Sequence, residues 1–249
     1  MSTASPGTVS ETLPTIRGHL ATSLNEFYGR IATVLFLPGC NWRCPFCHGW
    51  RFVREPERLA AVPIEAVLEQ LDDQAGWVDG AVVTGGEPTL HTGLPALLSL
   101  LRDQGLDTKL ETNGSHPEVL RALIDEHLLD SVALDFKATL TPERLSRAVG
   151  VDADPEAVRE SFRLVAASDL DIEFHTTLCP AAVTLEDLPG MAEDIQRLAP
   201  RATWILQRYN PDEVLDPQAA GPHTYEGNEV RAVVEQLRQT HPAIDIRGF

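Results

Sequence analysis

The sequence predicts an α/β fold with a parallel sheet and helices outside. Three observations carry this: strand-like and helix-like segments alternate six times along 249 residues, no linker interrupts the series, and 43% of the residues are apolar. Such a series builds either a doubly wound sheet or a complete or partial barrel. Residues 1–15, rich in Ser, Thr and Pro without a lasting period, read as a loose tail, which leaves 16–249 as one domain. The run IATVLFL (31–37) has the length and composition of a buried strand and leads directly into a cysteine loop. A helix is expected over 63–75, with Pro63 in its first turn and Ile64, Val67, Leu68 and Leu71 on one face. Further strands are expected at 80–84, 107–112, 131–136, 171–177 and 203–208. Helices are expected at 92–104, 116–128, 155–168, 185–198 and 227–240, with Leu94, Leu97, Leu98 and Leu101 forming one apolar stripe. A last short segment, 243–247, is expected as an edge strand alongside the 18–24 region.

Twenty basic residues against thirty-seven acidic ones leave a net charge of −17, which disfavours a nucleic-acid backbone or an anionic membrane as partner. No apolar run is long enough to span a bilayer, and no basic start precedes an apolar stretch, so a cytoplasmic protein is expected. Only two lysines occur, Lys109 and Lys137, both expected in strand segments.

Ligands of parallel α/β structures collect at the C-terminal ends of the strands. Here those ends carry CNWRCPFC (40–47), TGGEPT (84–89), ETNGS (111–115), DFK (135–137), HTT (175–177) and QRYN (207–210). Cys40, Cys44 and Cys47 set three thiolates on one short loop, one fewer than a closed zinc site or a fully protein-ligated [4Fe–4S] cluster needs. A cluster with one iron open to a small molecule satisfies that count. Zinc completed by His48, which abuts Cys47 and would strain a shared tetrahedral site, and three plain core thiols are the competing readings. Cys179, more than a hundred residues on, is the other candidate for a fourth ligand and reads instead as buried or merely local in role.

The cysteine loop resembles that of the radical S-adenosylmethionine (SAM) superfamily. GHLATSLNEFYGRIATVLFLPGCNWRCPFCHGW (18–50) resembles the start of anaerobic ribonucleoside-triphosphate reductase activating proteins, a glycyl-radical enzyme activating family. The chain departs from that pattern at SLNEFYG (23–29) and CHGW (47–50). The resemblance implies a partial TIM-type barrel of approximately (β/α)6 form, with a [4Fe–4S] cluster on Cys40, Cys44 and Cys47 whose fourth iron binds SAM. It implies reductive cleavage of SAM to a 5′-deoxyadenosyl radical, which installs a glycyl radical on a partner enzyme. An electron donor such as flavodoxin or ferredoxin is implied with it. A radical enzyme acting on another peptide or a small molecule, like 7-carboxy-7-deazaguanine synthase, is the alternative, followed by a non-enzymatic zinc or iron–sulfur protein.

Gly85 and Gly86 let the backbone approach a ligand, and Glu87 can accept from a cationic amine; the family's GGE stretch contacts the SAM amino group. Asn113 offers a donor and an acceptor to a ribose or adenine edge, although a helix-capping turn would use it equally well. Asp135 and Lys137 alternate with Phe136, so they share a face, and the resemblance gives them the cofactor's amine or ribose and its carboxylate. His175 stands where relatives often carry Arg, and Gln207 lies where the last strand approaches the cofactor. Phe46 and Trp42 flank cluster ligands, where they either exclude water or belong to the core.

Overall fold

Period-2 runs of apolar and β-branched residues form the strands β2 (Ala32–Leu37), β3 (Gly80–Gly85), β4 (Asp107–Thr112), β5 (Ser131–Asp135), β6 (Asp171–Leu178) and β7 (Thr203–Arg208). The computed structural model describes residues 13–241 and 243–249. Of the expected tail, 1–12 lie outside the described residues, and Leu13 already packs against the core. Strands β1 (Gly18–Ser23) and β8 (Ile244–Arg247) complete an eight-stranded sheet whose order follows the chain, β1 to β8. Strand β1 is antiparallel to β2, and every later neighbour pair is parallel.

Six crossovers link the parallel strands, the layout of a partial TIM-type barrel. Helices α1 (Trp50–Arg54) and α2 (Ile64–Asp73) join β2 to β3, α3 (Leu94–Asp103) joins β3 to β4, and α4 (Pro117–Asp125) joins β4 to β5. Two helices, α5 (Pro142–Val149) and α6 (Pro155–Ala166), lie between β5 and β6, and α7 (Leu188–Leu198) precedes β7. Helices α8 (Pro217–Ala220) and α9 (Gly227–Leu237) lead to β8. The expected pairing of 243–247 with 18–24 does not form. Trp204 of β7 stands opposite Ile244, while β1 occupies the other edge, because a crossover helix returns the chain beside the strand it left.

Alternation along the strands divides the apolar residues between two faces. Leu35, Leu37, Val83, Leu110, Leu134 and Phe174 face the helices and belong to the main core. Ala32, Val34 and Val82 face the other way and meet Phe27, from the connection between β1 and β2, in a small inner cluster. Through Phe27 the departure SLNEFYG supplies an interior plug, while its Leu24 and Tyr28 stay exposed. The same concave face turns charged farther on. Lys109 Nζ lies 2.6 Å from Glu173 Oε2 and donates to the Glu26 carbonyl at 2.7 Å, tying strands β4 and β6 to the plug. His175 Nε2 meets the same Glu173 oxygen at 2.9 Å. Lys137, expected within a strand, follows β5 by two residues.

Candidate active site

The C-terminal ends of the strands surround a cavity of about 600 Å³, large enough for a small-molecule cofactor. Cys40, Cys44 and Cys47 all line it. Their loop is held from two sides, Arg43 N donating to Val149 O at the end of α5 and Asp216 N to Pro45 O, and is turned within itself by Cys47 N donating to Cys44 O. Trp42 and Phe46 are 4% and 5% exposed, so both join the core and also wall the cavity. Burial pushes the Cys40 thiol up to about 11 and raises those of Cys44 and Cys47 as well. Among the described residues no three His, Cys, Asp or Glu side chains gather as ligands of one ion. The three thiols share the wall of one cavity, and His48 is exposed at its edge.

Gly85 and Gly86 bring the end of β3 onto the cysteine loop. Gly85 has φ +122°, and a Cβ on Gly86 would run into the Gly39 carbonyl, while Glu87 N donates to that same carbonyl at 2.7 Å. Gly86→Ala is therefore expected to cost about 1–3 kcal/mol and to displace the loop. Thermal unfolding checks this, and an unchanged Tm would contradict the close backbone approach.

Lys137 Nζ pairs with Asp135 Oδ1 at 2.7 Å and lies 5.8 Å from the centre of the Phe46 ring. Burial opposes the charge on Lys137, but the Asp135 carboxylate outweighs it and raises the pKa, so the ammonium persists at neutral pH. Phe136 points away into a cluster with Phe162, Phe174 and Trp204. Asn113 and Gln207 also line the cavity.

Two of the expected site residues do not line it. The Glu87 side chain is fully buried and turned inward: Oε1 accepts from Thr89 N and from the Thr89 and Thr112 hydroxyls, and Oε2 from Asn113 N. Its carboxylate stitches the ends of β3 and β4 together, leaving the Gly85 and Gly86 backbone to face the cavity. His175 lies deeper, 8% exposed, against Glu173. Cys179 is buried with Sγ 3.6 Å from Ala220 O, away from the other thiols.

The structure also brings in Glu26 from the plug, Glu111 and Thr177 from β4 and β6, and Arg247 from β8. Alternation in DTKLET and HTT sets Glu111 and Thr177 on the concave face, a signal available in the sequence. Nothing local announces Glu26 or Arg247. Burial raises the Glu26 carboxyl pKa, and Glu111 Oε1 is buried without a hydrogen-bond partner among the described residues.

Residues 34–195 match the family model of the radical SAM superfamily. The chain belongs to this superfamily. Membership brings with it the use of SAM and an iron–sulfur cofactor. Within the radical SAM superfamily, a protein of Methanocaldococcus jannaschii named as a glycyl-radical enzyme activating enzyme is 28% identical over 210 residues, covering 82% of this chain and 83% of that one. The 7-carboxy-7-deazaguanine synthase of Aquifex aeolicus is 31% identical over 107 residues, 37% of this chain and 45% of that one. Streptococcus suis SuiB, crystallised with SAM, superposes with a TM-score of 0.66 at 16% identity over 86% of this chain, a likeness of fold. This chain spans 52% of SuiB. No helix among the described residues is long and apolar enough to cross a membrane.

Proposed function

We propose that this radical SAM protein holds a [4Fe–4S] cluster on Cys40, Cys44 and Cys47 and activates a glycyl-radical enzyme, such as an anaerobic ribonucleoside-triphosphate reductase. The observation that carries the reading is the donor set: three thiols and the Asp135–Lys137 pair line one cavity, and the fourth cysteine lies elsewhere. Three thiols fit a cluster that keeps one iron for a non-protein ligand. When bound and reduced by a flavodoxin or ferredoxin, the cluster supplies one-electron cleavage of the SAM sulfonium, and with it a carbon radical for hydrogen abstraction.

The chain's own residues bind, orient and shield. Lys137 offers a permanent positive charge to the cofactor carboxylate, and Asp135 offers an acceptor to its amine. The Gly85 and Gly86 backbone lets the cofactor lie close to β3, while Trp42 and Phe46 keep water from the thiols. The activase reading is supported by a relative similar over most of the chain, whereas the deazaguanine synthase likeness covers 37% of it.

Low-temperature EPR of the reconstituted, reduced protein tests the reading. A [4Fe–4S] signal that changes on addition of SAM is expected, followed by a glycyl radical when the reductase partner is added. A cluster indifferent to SAM overturns the radical chemistry, and turnover of a small-molecule substrate without a glycyl radical shifts it to the synthase class. Lys137→Met is expected to weaken SAM binding at least about tenfold, as loss of a charged hydrogen bond of roughly 1.5–3 kcal/mol would. Calorimetric titration checks this, and an unchanged Kd removes Lys137 from the carboxylate.

A further inference from the structure

A closed ring of hydrogen bonds joins the cysteine loop to the ends of β3 and β4. Asn113 N donates to Glu87 Oε2 at 2.7 Å, and the Thr89 hydroxyl donates to Glu87 Oε1 at 2.5 Å. His116 Nδ1 lies 3.0 Å from Thr89 Oγ1 and 3.1 Å from Ser115 Oγ. Asn41 Nδ2 donates to Ser115 Oγ at 2.8 Å, and Asn113 Nδ2 donates to Asn41 Oδ1 at 2.9 Å, which closes the ring. Burial raises the Glu87 pKa, but four donors converge on its two oxygens and favour the carboxylate; a carboxylate can only accept, so the Thr89 proton points at Glu87 and the Thr89 oxygen accepts in turn from His116. That assigns the imidazole proton to Nδ1.

The ring decides which way the Asn113 amide faces. Its Oδ1 accepts from Ser115 N at 2.9 Å, so the amide cannot flip, and Nδ2 is left facing Cys40 Sγ at 3.9 Å. Asn113 is 3% exposed, and Trp42 N reaches the same sulfur at 3.3 Å. Hydrogen bonds to a cluster's sulfurs stabilise the more negative, reduced state and raise its potential.

We infer that Asn113 is a positioning residue for Cys40, locked by the Glu87–Thr89–His116–Ser115–Asn41 ring so that its amide N–H raises the potential of the cluster. This rests on the proposed cluster and departs from the ribose contact that the family resemblance suggests for Asn113. The test is redox titration by EPR without SAM, on the wild type, Asn113→Ala and Asn113→Asp. The midpoint is expected to shift to more negative potential in both variants, farther in Asn113→Asp, where an acceptor replaces the donor. Ser115→Ala, at a half-buried position one step removed from the sulfur, cuts the ring at Asn41; a smaller shift of the same sign is expected there, which keeps the test open if the buried substitutions fail to fold. Midpoints unchanged in all variants, with SAM binding weakened, overturn the inference in favour of the ribose contact. A wild type that takes up no cluster overturns the proposed function together with it. Nitrogen-15 spectra of the cluster-free protein give a separate reading: His116 protonated on Nδ1 is expected, and a proton on Nε2 breaks the ring.

Discussion

Cys44→Ala is expected to reduce the iron and sulfide of the reconstituted protein to background while the circular dichroism stays that of the wild type. Cys44 is the most enclosed of the three thiols, 8% exposed and packed in the core, and its loop is anchored by backbone bonds that do not involve its sulfur. Removing the sulfur therefore spares the loop and leaves two corners to hold the cluster. A small cavity costs about 1–2 kcal/mol, within the reach of a chain of this size. Cys179→Ala, at a thiol bonded to Ala220 O, is the matched control and is expected to keep its full iron. Full iron in Cys44→Ala would remove the cysteine loop from cluster binding.

Lys109→Met is expected to be strongly destabilising. The ammonium is 1% exposed on its side chain and has two close acceptors, so its loss leaves the Glu173 carboxylate with His175 as its remaining partner and strips the Glu26 carbonyl of its donor in the interior. Breaking a buried pair from one side costs about 3–5 kcal/mol, and at roughly 2–4 °C per kcal/mol the Tm falls by about 10 °C. The double variant Lys109→Met/Glu173→Gln is expected to recover part of this, because no charge is left unpaired. Acid exposes the same pair. Burial pushes the Glu173 carboxyl up, but the His175 hydrogen bond and the Lys109 ammonium outweigh it and hold the pKa at about 2, against an ordinary 4.5. A lowered folded pKa gives stability that is complete above the unfolded value and is lost as pH falls from about 4.5 toward 2. Denaturant titrations at pH 6 and pH 3 check both statements: Glu173→Gln is expected to lose less stability than the wild type between them, and equal losses would contradict the assigned pair.

The local period of the chain was enough to read β4 at 107–112 and β7 at 203–208 to the residue, because both strands are bounded by polar turns. Partner choice was not legible: the pattern of 243–247 says strand, but only the route of α9 puts it beside β7. Helix α5 escapes a reading by apolar period because PERLSRAV is largely polar, although Thr141, Pro142 and Gly150 mark its ends. In the site, the parity of Asp135 and Lys137 survives because the pairing continues past β5, where Phe136 N donates to His175 O. Glu87 is another matter. Its direction depends on the conformation of Gly85 and on acceptor-hungry Thr89 and Thr112, none of which a GGE string reveals. His175 shares the concave face with Asp135, yet depth in the barrel, set by the partner Glu173, decides that it meets a carboxylate before it meets the cavity.

A sheet whose spatial order repeats its order in the chain also sets a timetable for synthesis. Each βα unit can dock on the one before it as soon as it leaves the ribosome. The cysteine loop emerges early, on the second strand, whereas Gln207 and Arg247, which close the far wall of the cavity, come last. At roughly 5–20 residues per second, the wall completes about 10–40 s after Cys47 has been made. For that interval the barrel lacks its last strands, so the proposed cluster would find a wider door in the nascent chain than in the finished protein.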